Sequence, residues 1–169
     1  MLQVYTGDGK GKTTAAFGLA LRAAGHGWNV HVTQFMKGDS GYGEVVAARQ
    51  VKGLTVVRTG LPTFVERGNP GPEDLAEARR GMADARAAIE SGECQMVIMD
   101  EINVAVDYGL VPLDEVLRLI DECPREVELV MTGRAARPAV LDRADLVSEV
   151  REVRHPYQKG IVSRVGIDY

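Results

Sequence analysis

Aromatic residues are scarce in this sequence, at 5%, and so are the usual transition-metal ligands, with two cysteines and three histidines in 169 residues. Cys94 and Cys123 have neither metal-ligand spacing nor ligating company, which argues against a zinc site and for two buried or half-buried free thiols in a reducing compartment. An excess of one charge is also missing. The net charge of −4 comes from 20 basic and 24 acidic residues interspersed along the chain, so nothing recommends nucleic acid or an anionic membrane as partner. No apolar run approaches a membrane span and the chain opens on its first strand, so neither a leader nor an anchor is expected and the expected location is cytoplasmic. Internal repeats and low-complexity tracts are absent too. A chain of 169 residues is long enough for a real core and needs only one domain, 1–169.

What is present is concentrated in one stretch, Val4-Tyr5-Thr6-Gly7-Asp8-Gly9-Lys10-Gly11-Lys12-Thr13-Thr14. It reads as a short buried strand, a glycine-rich loop and the first turn of a helix. Gly7, Gly9 and Gly11 let the backbone turn sharply and bring several N–H groups to a point, and the helix starting near Lys12 adds its positive dipole end. That is a cradle for phosphate, with triphosphate the natural guest. Lys12 would lie along the phosphates, and the Thr13 hydroxyl would complete the shell of a Mg²⁺ bridging two of them. The P-loop pattern G-x-x-x-x-G-K-[ST] is met at Gly11-Lys12-Thr13 but not at its first position, where Thr6 stands.

Periodicity supplies the rest. Helices are expected over 12–24, 44–52, 73–91, 103–108 and 113–123, and strands over 29–35, 54–58, 96–99, 127–132, 146–153 and 161–168. Two loops stand out: 36–43, which looks mobile, and 59–72, the longest irregular stretch, where glycines and prolines frame Phe64. Strands that are apolar throughout and alternate with helices indicate a parallel sheet covered on both faces. The fold class is α/β, of the P-loop NTPase (RecA-like) type.

Met96-Val97-Ile98-Met99-Asp100-Glu101 is the second informative stretch, a buried strand that emerges on two carboxylates. These are placed to reach a hard cation directly or through its waters. Glu101 has two readings: in an ATPase it would orient the attacking water, and with another nucleophile it would only hold metal. Arg134 follows a strand and can clamp phosphate, or it is a solvated arginine. Phe64 is a ligand contact or the packing residue of its own loop. His26 and His31 are most simply structural, Trp28 is expected in the core rather than as a platform, and His155 lies in a Pro-containing turn.

The ordered set 6–16, 21–27, Gln34-Phe35-Met36-Lys37-Gly38, Asp100-Glu101-Ile102-Asn103, Tyr108-Gly109, Thr132-Gly133-Arg134 and the ending His155-Pro156-Tyr157-Gln158-Lys159-Gly160-Ile161 resembles the ATP:corrinoid adenosyltransferase family. The resemblance spans almost the whole chain. It implies transfer of the 5′-deoxyadenosyl group of ATP to the cobalt(I) of a reduced corrinoid, with release of triphosphate, in adenosylcobalamin synthesis or salvage. No water then needs activating, so by analogy Glu101 and Thr13 hold Mg²⁺, and Lys12 and Glu101 are the residues of the catalytic step. Gly7, Asp8, Gly9, Lys10, Gly11, Lys12, Thr13 and Thr14 carry over as ATP contacts, with Arg22 and Arg134 as further ones, and Phe64 as the corrinoid contact that helps shed an axial ligand. The resemblance also implies a homodimer and an electron-donating reductase as partners. The sequence departs from relatives that carry both a Phe and a Trp in the Phe64 loop, and an N-terminal segment that caps the corrinoid in longer relatives is not expected here. The alternatives are another P-loop small-molecule kinase or ATPase, and a non-catalytic ATP-sensing module.

Overall fold

A computed structural model describes residues 1–38 and 41–168. Asp39 and Ser40, at the centre of the 36–43 loop, lie outside the described residues. In chain order the elements are β1 (Leu2–Thr6), α1 (Lys12–Gly25), β2 (Val30–Gln34), α2 (Gly43–Ala48), β3 (Leu54–Arg58), α3 (Pro72–Glu90), β4 (Met96–Asp100), α4 (Ile102–Asp107), α5 (Leu113–Glu122), β5 (Glu128–Thr132), α6 (Pro138–Leu141) and β6 (Leu146–Glu149). A 3₁₀ turn at Pro156–Lys159 follows.

The strands form one sheet in the order β3-β2-β4-β5-β1-β6, and every pair is parallel. All carboxyl ends therefore share one edge. The chain steps from β1 to β2 across a gap that β4 and β5 later fill, so the loop after β1 and the residue after β4 meet at that edge. β4 is buried along its whole length, as its uninterrupted apolar run requires: Val97 and Met99 pack with Met82, Ile89 and Leu119 on one face, and Met96 and Ile98 with Ala16, Ala20 and Ala23 on the other. These faces are covered by α3 and α5 and by α1 respectively, which is the two-sided arrangement expected from the pattern. Among the described residues, no helix is long and apolar enough to cross a membrane.

Three expectations need correction. The segment 161–168 is not a strand but an irregular stretch closing in turns. Its β-branched residues Val162, Val165 and Ile167 are exposed, Gly160 and Gly166 take positive φ, and Asp168 accepts from the N–H and the guanidinium of Arg164. Glycine turns and a local charged ring outcompete β propensity where no neighbouring strand is paired with the segment. The strand over 146–153 stops at Glu149, because the chain then turns over the glycine loop, where Gly9 N–H donates to Val150 O at 2.7 Å. The short α6 carries too few residues to show a period in the sequence, and Trp28 is 41% exposed rather than a core residue.

α3 passes close to the end of β2 at Gly81, where an added Cβ would lie 2.6 Å from Thr59 Oγ1 and 2.7 Å from the Phe35 ring. Gly18 in α1 has nothing within 4 Å. Helix propensity alone favours alanine at both sites, by about 1 kcal/mol. Gly18→Ala is expected to raise the melting temperature, whereas overpacking should make Gly81→Ala destabilising by about 1–3 kcal/mol. Thermal unfolding of the two variants checks this, and a Gly81→Ala protein as stable as the parent contradicts the packing described.

Candidate functional site

The site grows from strand register. Gln34 is the register partner of Asp100, and Thr132 stands one residue beyond the Met99–Met131 pair, so the last residues of β2, β4 and β5 lie side by side at the carboxyl edge. They form a polar row under the loop. Asp100 is fully buried. Its Oδ1 accepts from Thr132 Oγ1 at 2.7 Å and from Thr13 Oγ1 at 2.9 Å, and its Oδ2 accepts from Gln34 Nε2 at 3.0 Å. Lys37 Nζ stands 3.2 Å from the same Oδ2. A carboxylate taken out of water costs several kcal/mol, about what such a set of donors and an opposite charge can offset. Gln34 Oε1 is left without a partner, the one such buried side-chain atom among the described residues.

Glu101 follows at φ +65°, a left-handed turn that a non-glycine residue adopts only at a cost, here the exit from a buried strand directly into α4. Its N–H donates to Thr132 Oγ1 at 2.9 Å. Burial, with the charge of Asp100 added, pushes the Glu101 carboxyl above the usual range, and Lys37, Lys12 and Arg134 pull against that. Lys12 is 6% exposed and its Nζ donates to Gly9 O at 2.6 Å. Burial lowers its pKa, and the nearby Glu101, Asp8 and Asp100 oppose the shift.

The loop turns at Gly7, with φ +93°, and enters α1 through Gly11 at φ +119°. The residues from Gly7 to Thr14 line a cleft of about 1360 Å³, together with Lys37, Tyr42, Glu101, Tyr108, Arg134 and His155. Arg134 is exposed within it. Arg22 does not line the cleft: it sits exposed in the last turn of α1, about 15 Å along the helix from Lys12 at 1.5 Å per residue. Phe64 does not line it either. The ring is wholly exposed, so the packing of its own loop does not account for it. His31 is structural, with Nε2 2.8 Å from Asp84 Oδ2. His155 caps the 3₁₀ turn, its Nδ1 accepting from the Tyr157 N–H.

Reasoning from local motifs missed Gln34, Thr132 and Lys37 as partners of Asp100. A partial signal exists for Thr132, which like Asp100 ends a strand on a polar side chain after an apolar run; Gln34 and Lys37 carry none. It also missed the 163–168 segment, where Ser163, Gly166, Ile167 and Asp168 line the cleft and Asp168 pairs with Lys10.

The oxygen donors Thr13 Oγ1, Asp100 and Glu101 are hard ligands at the foot of the loop. Among the described residues there is no cluster of three or more His, Cys, Asp or Glu side chains fit to hold a metal. A hydroxyl and a pair of adjacent carboxylates suit Mg²⁺, which takes one or two protein carboxylates and fills the remaining positions with phosphate and water. They do not suit an ion that needs an all-protein cage.

Parallel sheet, glycine loop and carboxylate row define a protein of the P-loop NTPase fold. Solved structures agree on the fold: the cytoplasmic domain of the Thermomonospora curvata type VII secretion ATPase EccC superposes with a TM-score of 0.58 at 15% identity, over 93% of this chain and 20% of that one. EssC (ATPases 2 and 3) from Geobacillus thermodenitrificans gives a TM-score of 0.51 at 12% identity, over 99% of this chain and 35% of that one. The sequence is more specific. The profile of the family described as ATP:corrinoid adenosyltransferase BtuR/CobO/CobP matches residues 1–169. The corrinoid adenosyltransferase of Escherichia coli (strain K12) is 38% identical over 168 residues, 98% of this chain and 84% of the relative. That of Pseudomonas aeruginosa is 33% identical over 169 residues, 100% of this chain and 83% of the relative. The chain belongs to the ATP:corrinoid adenosyltransferase family, and it is a transferase enzyme that adenosylates corrinoids.

Because the Glu101 carboxyl titrates above its usual range, its ionisation works against folding. That cost is absent below the ordinary carboxylate pKa and grows as pH rises through the folded one. In metal-free buffer at pH 7, Glu101→Gln is therefore expected to raise the melting temperature by about 2–5 °C, with the gain shrinking towards pH 4. A variant no more stable than the parent at pH 7 contradicts this.

Proposed function

We propose that the cleft binds ATP with its triphosphate in the loop of residues 7–14, and that the reduced corrinoid takes the adenosyl group with release of intact triphosphate. The observation that carries this reading is the Thr13–Asp100 hydrogen bond at 2.9 Å beside the glycine loop, which puts phosphate donors and metal-binding oxygens at one point. The cobalt(I) of the substrate attacks the ribose C5′. The Co–C5′ bond forms as the C5′–O bond breaks, and the electron pair leaves on the triphosphate oxygen.

The chain's part is to grip the departing group. The first-turn N–H groups of α1 and the Lys12 ammonium face the charge that develops on the leaving oxygen, where buried donors are worth most. Lys12 and Glu101 are the residues assigned to this step. Thr13 and Glu101 would hold Mg²⁺, with Asp100 fixing the Thr13 hydroxyl, and when bound the ion supplies Lewis-acid stabilisation of the triphosphate. Lys10, Arg134 and the glycines complete the ATP contacts. Arg22, outside the cleft of its own chain, is retained only as a peripheral one. Phe64 is assigned to the corrinoid: an exposed ring on an irregular loop of the active edge is free to meet an apolar corrin face and displace an axial ligand. We take residues 1–169 as one adenosyltransferase domain that works in the cytoplasm as a homodimer and receives electrons from a reductase. The homodimer and the reductase rest on the family, and the single domain and the location on the sequence.

The deciding experiment supplies ATP, Mg²⁺ and chemically reduced cobalamin, follows the cobalt–carbon bond by visible spectroscopy and identifies the phosphorus product. Triphosphate supports the reading, whereas ADP and phosphate make the protein a kinase or ATPase, and binding without turnover makes it a sensor. Lys12→Ala is expected to lower the rate on the order of 10²-fold, and unchanged turnover removes the loop from the reaction. Phe64→Ala is expected to lose more activity when the assay starts from cobalt(II) than from cobalt(I). Equal losses take Phe64 out of ligand displacement.

A further inference from the structure

Lys37 has no part in the roles assigned above, yet it is one of the most confined cations in the described structure. Its side chain is 13% exposed. The backbone kinks at Met36, φ +58°, to deliver it, and Lys37 N–H donates to Thr59 O at 3.0 Å. Its Nζ lies 3.2 Å from Asp100 Oδ2 and 3.7 Å from Glu44 Oε1, and 4.8 Å from the centroid of the Tyr42 ring. The ammonium is thus held between two carboxylates and an aromatic face. An ammonium has three N–H donors. Among the described residues only Asp100 lies within hydrogen-bond distance, and the side chain lines the same cleft as Lys12 and Thr13.

Asp100 already takes three neutral donors, from Thr13, Thr132 and Gln34. Lys37 is therefore not needed to satisfy its hydrogen bonds, and its distinct contribution is charge. The sheet order sets where that charge falls. Lys12 approaches the carboxylates from the β1 side and Lys37 from the β2 side, with β4 and β5 between.

We propose that Lys37 is a further cationic contact to the bound polyphosphate, gripping it from the β2 side while Lys12 grips it from the β1 side. This rests on the reading that triphosphate occupies the loop. A triphosphate chain is highly charged, and it gains another full charge as the C5′–O electron pair departs. A flexible point charge with spare donors is suited to follow that change.

Calorimetric binding of inorganic triphosphate to the full-length protein tests this, once with Mg²⁺ and once with EDTA. Lys37→Met is expected to weaken binding roughly tenfold or more in both buffers, and Lys37→Arg to retain most of the affinity. Loss only with Mg²⁺ present would mean that Lys37 acts solely through Asp100 and the metal, and would overturn the proposal, as would unchanged affinity. Glu44→Gln provides a second arm that keeps Lys37 in place. It relieves the lysine of a competing carboxylate and is expected to tighten triphosphate binding about two- to threefold, so weaker binding counts against the proposal. A parent protein that fails to bind triphosphate at all refutes the P-loop reading rather than the role of Lys37.

Discussion

The structure depends on keeping one buried carboxylate satisfied. Asp100 receives hydrogen bonds from α1, β2 and β5 and an ammonium from the loop after β2. No two of these partners come from one element. Each bond is worth about 1–3 kcal/mol when it goes to a charged group, and losing one leaves the charge exposed to a low-dielectric surround. The row is correct only when three parallel strands are in register, because a slip of one residue turns every side chain to the opposite face. The hydrogen bonds that tie Thr13 to the sheet therefore also fix the position of α1, whose first turn faces the cleft.

The same arrangement explains why charge at this edge is unbalanced on purpose. Asp100 and Glu101 are adjacent and largely removed from water, and burial makes the ionisation of Glu101 costly. The two lysines and Arg134 offset part of that cost. Lys12 itself is made easier to deprotonate by burial, with the carboxylates pulling the other way. The strained φ of Glu101 sits at the centre of this cluster, which is where backbone strain is commonly retained.

How far this was legible in the sequence follows from the range of each interaction. The glycine loop, the strand before it and the carboxylates after β4 are local patterns and were readable, as was the two-sided parallel sheet from the apolar run 96–99. Gln34, Thr132 and Lys37 are far apart in sequence and share a function only through register, which no local period reports. The segment 161–168 misled for a different reason: Ile161, Val162, Val165 and Ile167 carry strand propensity, whereas the shape is decided by Gly160, Gly166 and the charged contacts of Asp168. Arg22 is a third kind of case. It was placed at the nucleotide by resemblance, and helix geometry carries it away from the cleft of its own chain.

Thr6, the residue that breaks the common P-loop pattern, is accounted for by what lies beside it. It is still part of β1 and pairs with Glu149 of β6, and its carbonyl accepts from Val150 N–H at 2.8 Å. A glycine there would weaken a strand end that holds an edge strand in place. The turn falls instead on Gly7, at φ +93°, where any Cβ would run into the Val150 backbone. Gly9 is pressed against the same segment, with an added Cβ 2.7 Å from the Arg151 carbonyl carbon, and its N–H is committed to Val150 O. The first half of the loop is thus braced against the chain after β6 through Gly7 and Gly9. Helix geometry leaves further donors without intrahelical partners, among them the N–H groups of Lys12, Thr13 and Thr14. Bracing the first half of the loop also holds the entry into α1, whose first turn lines the cleft.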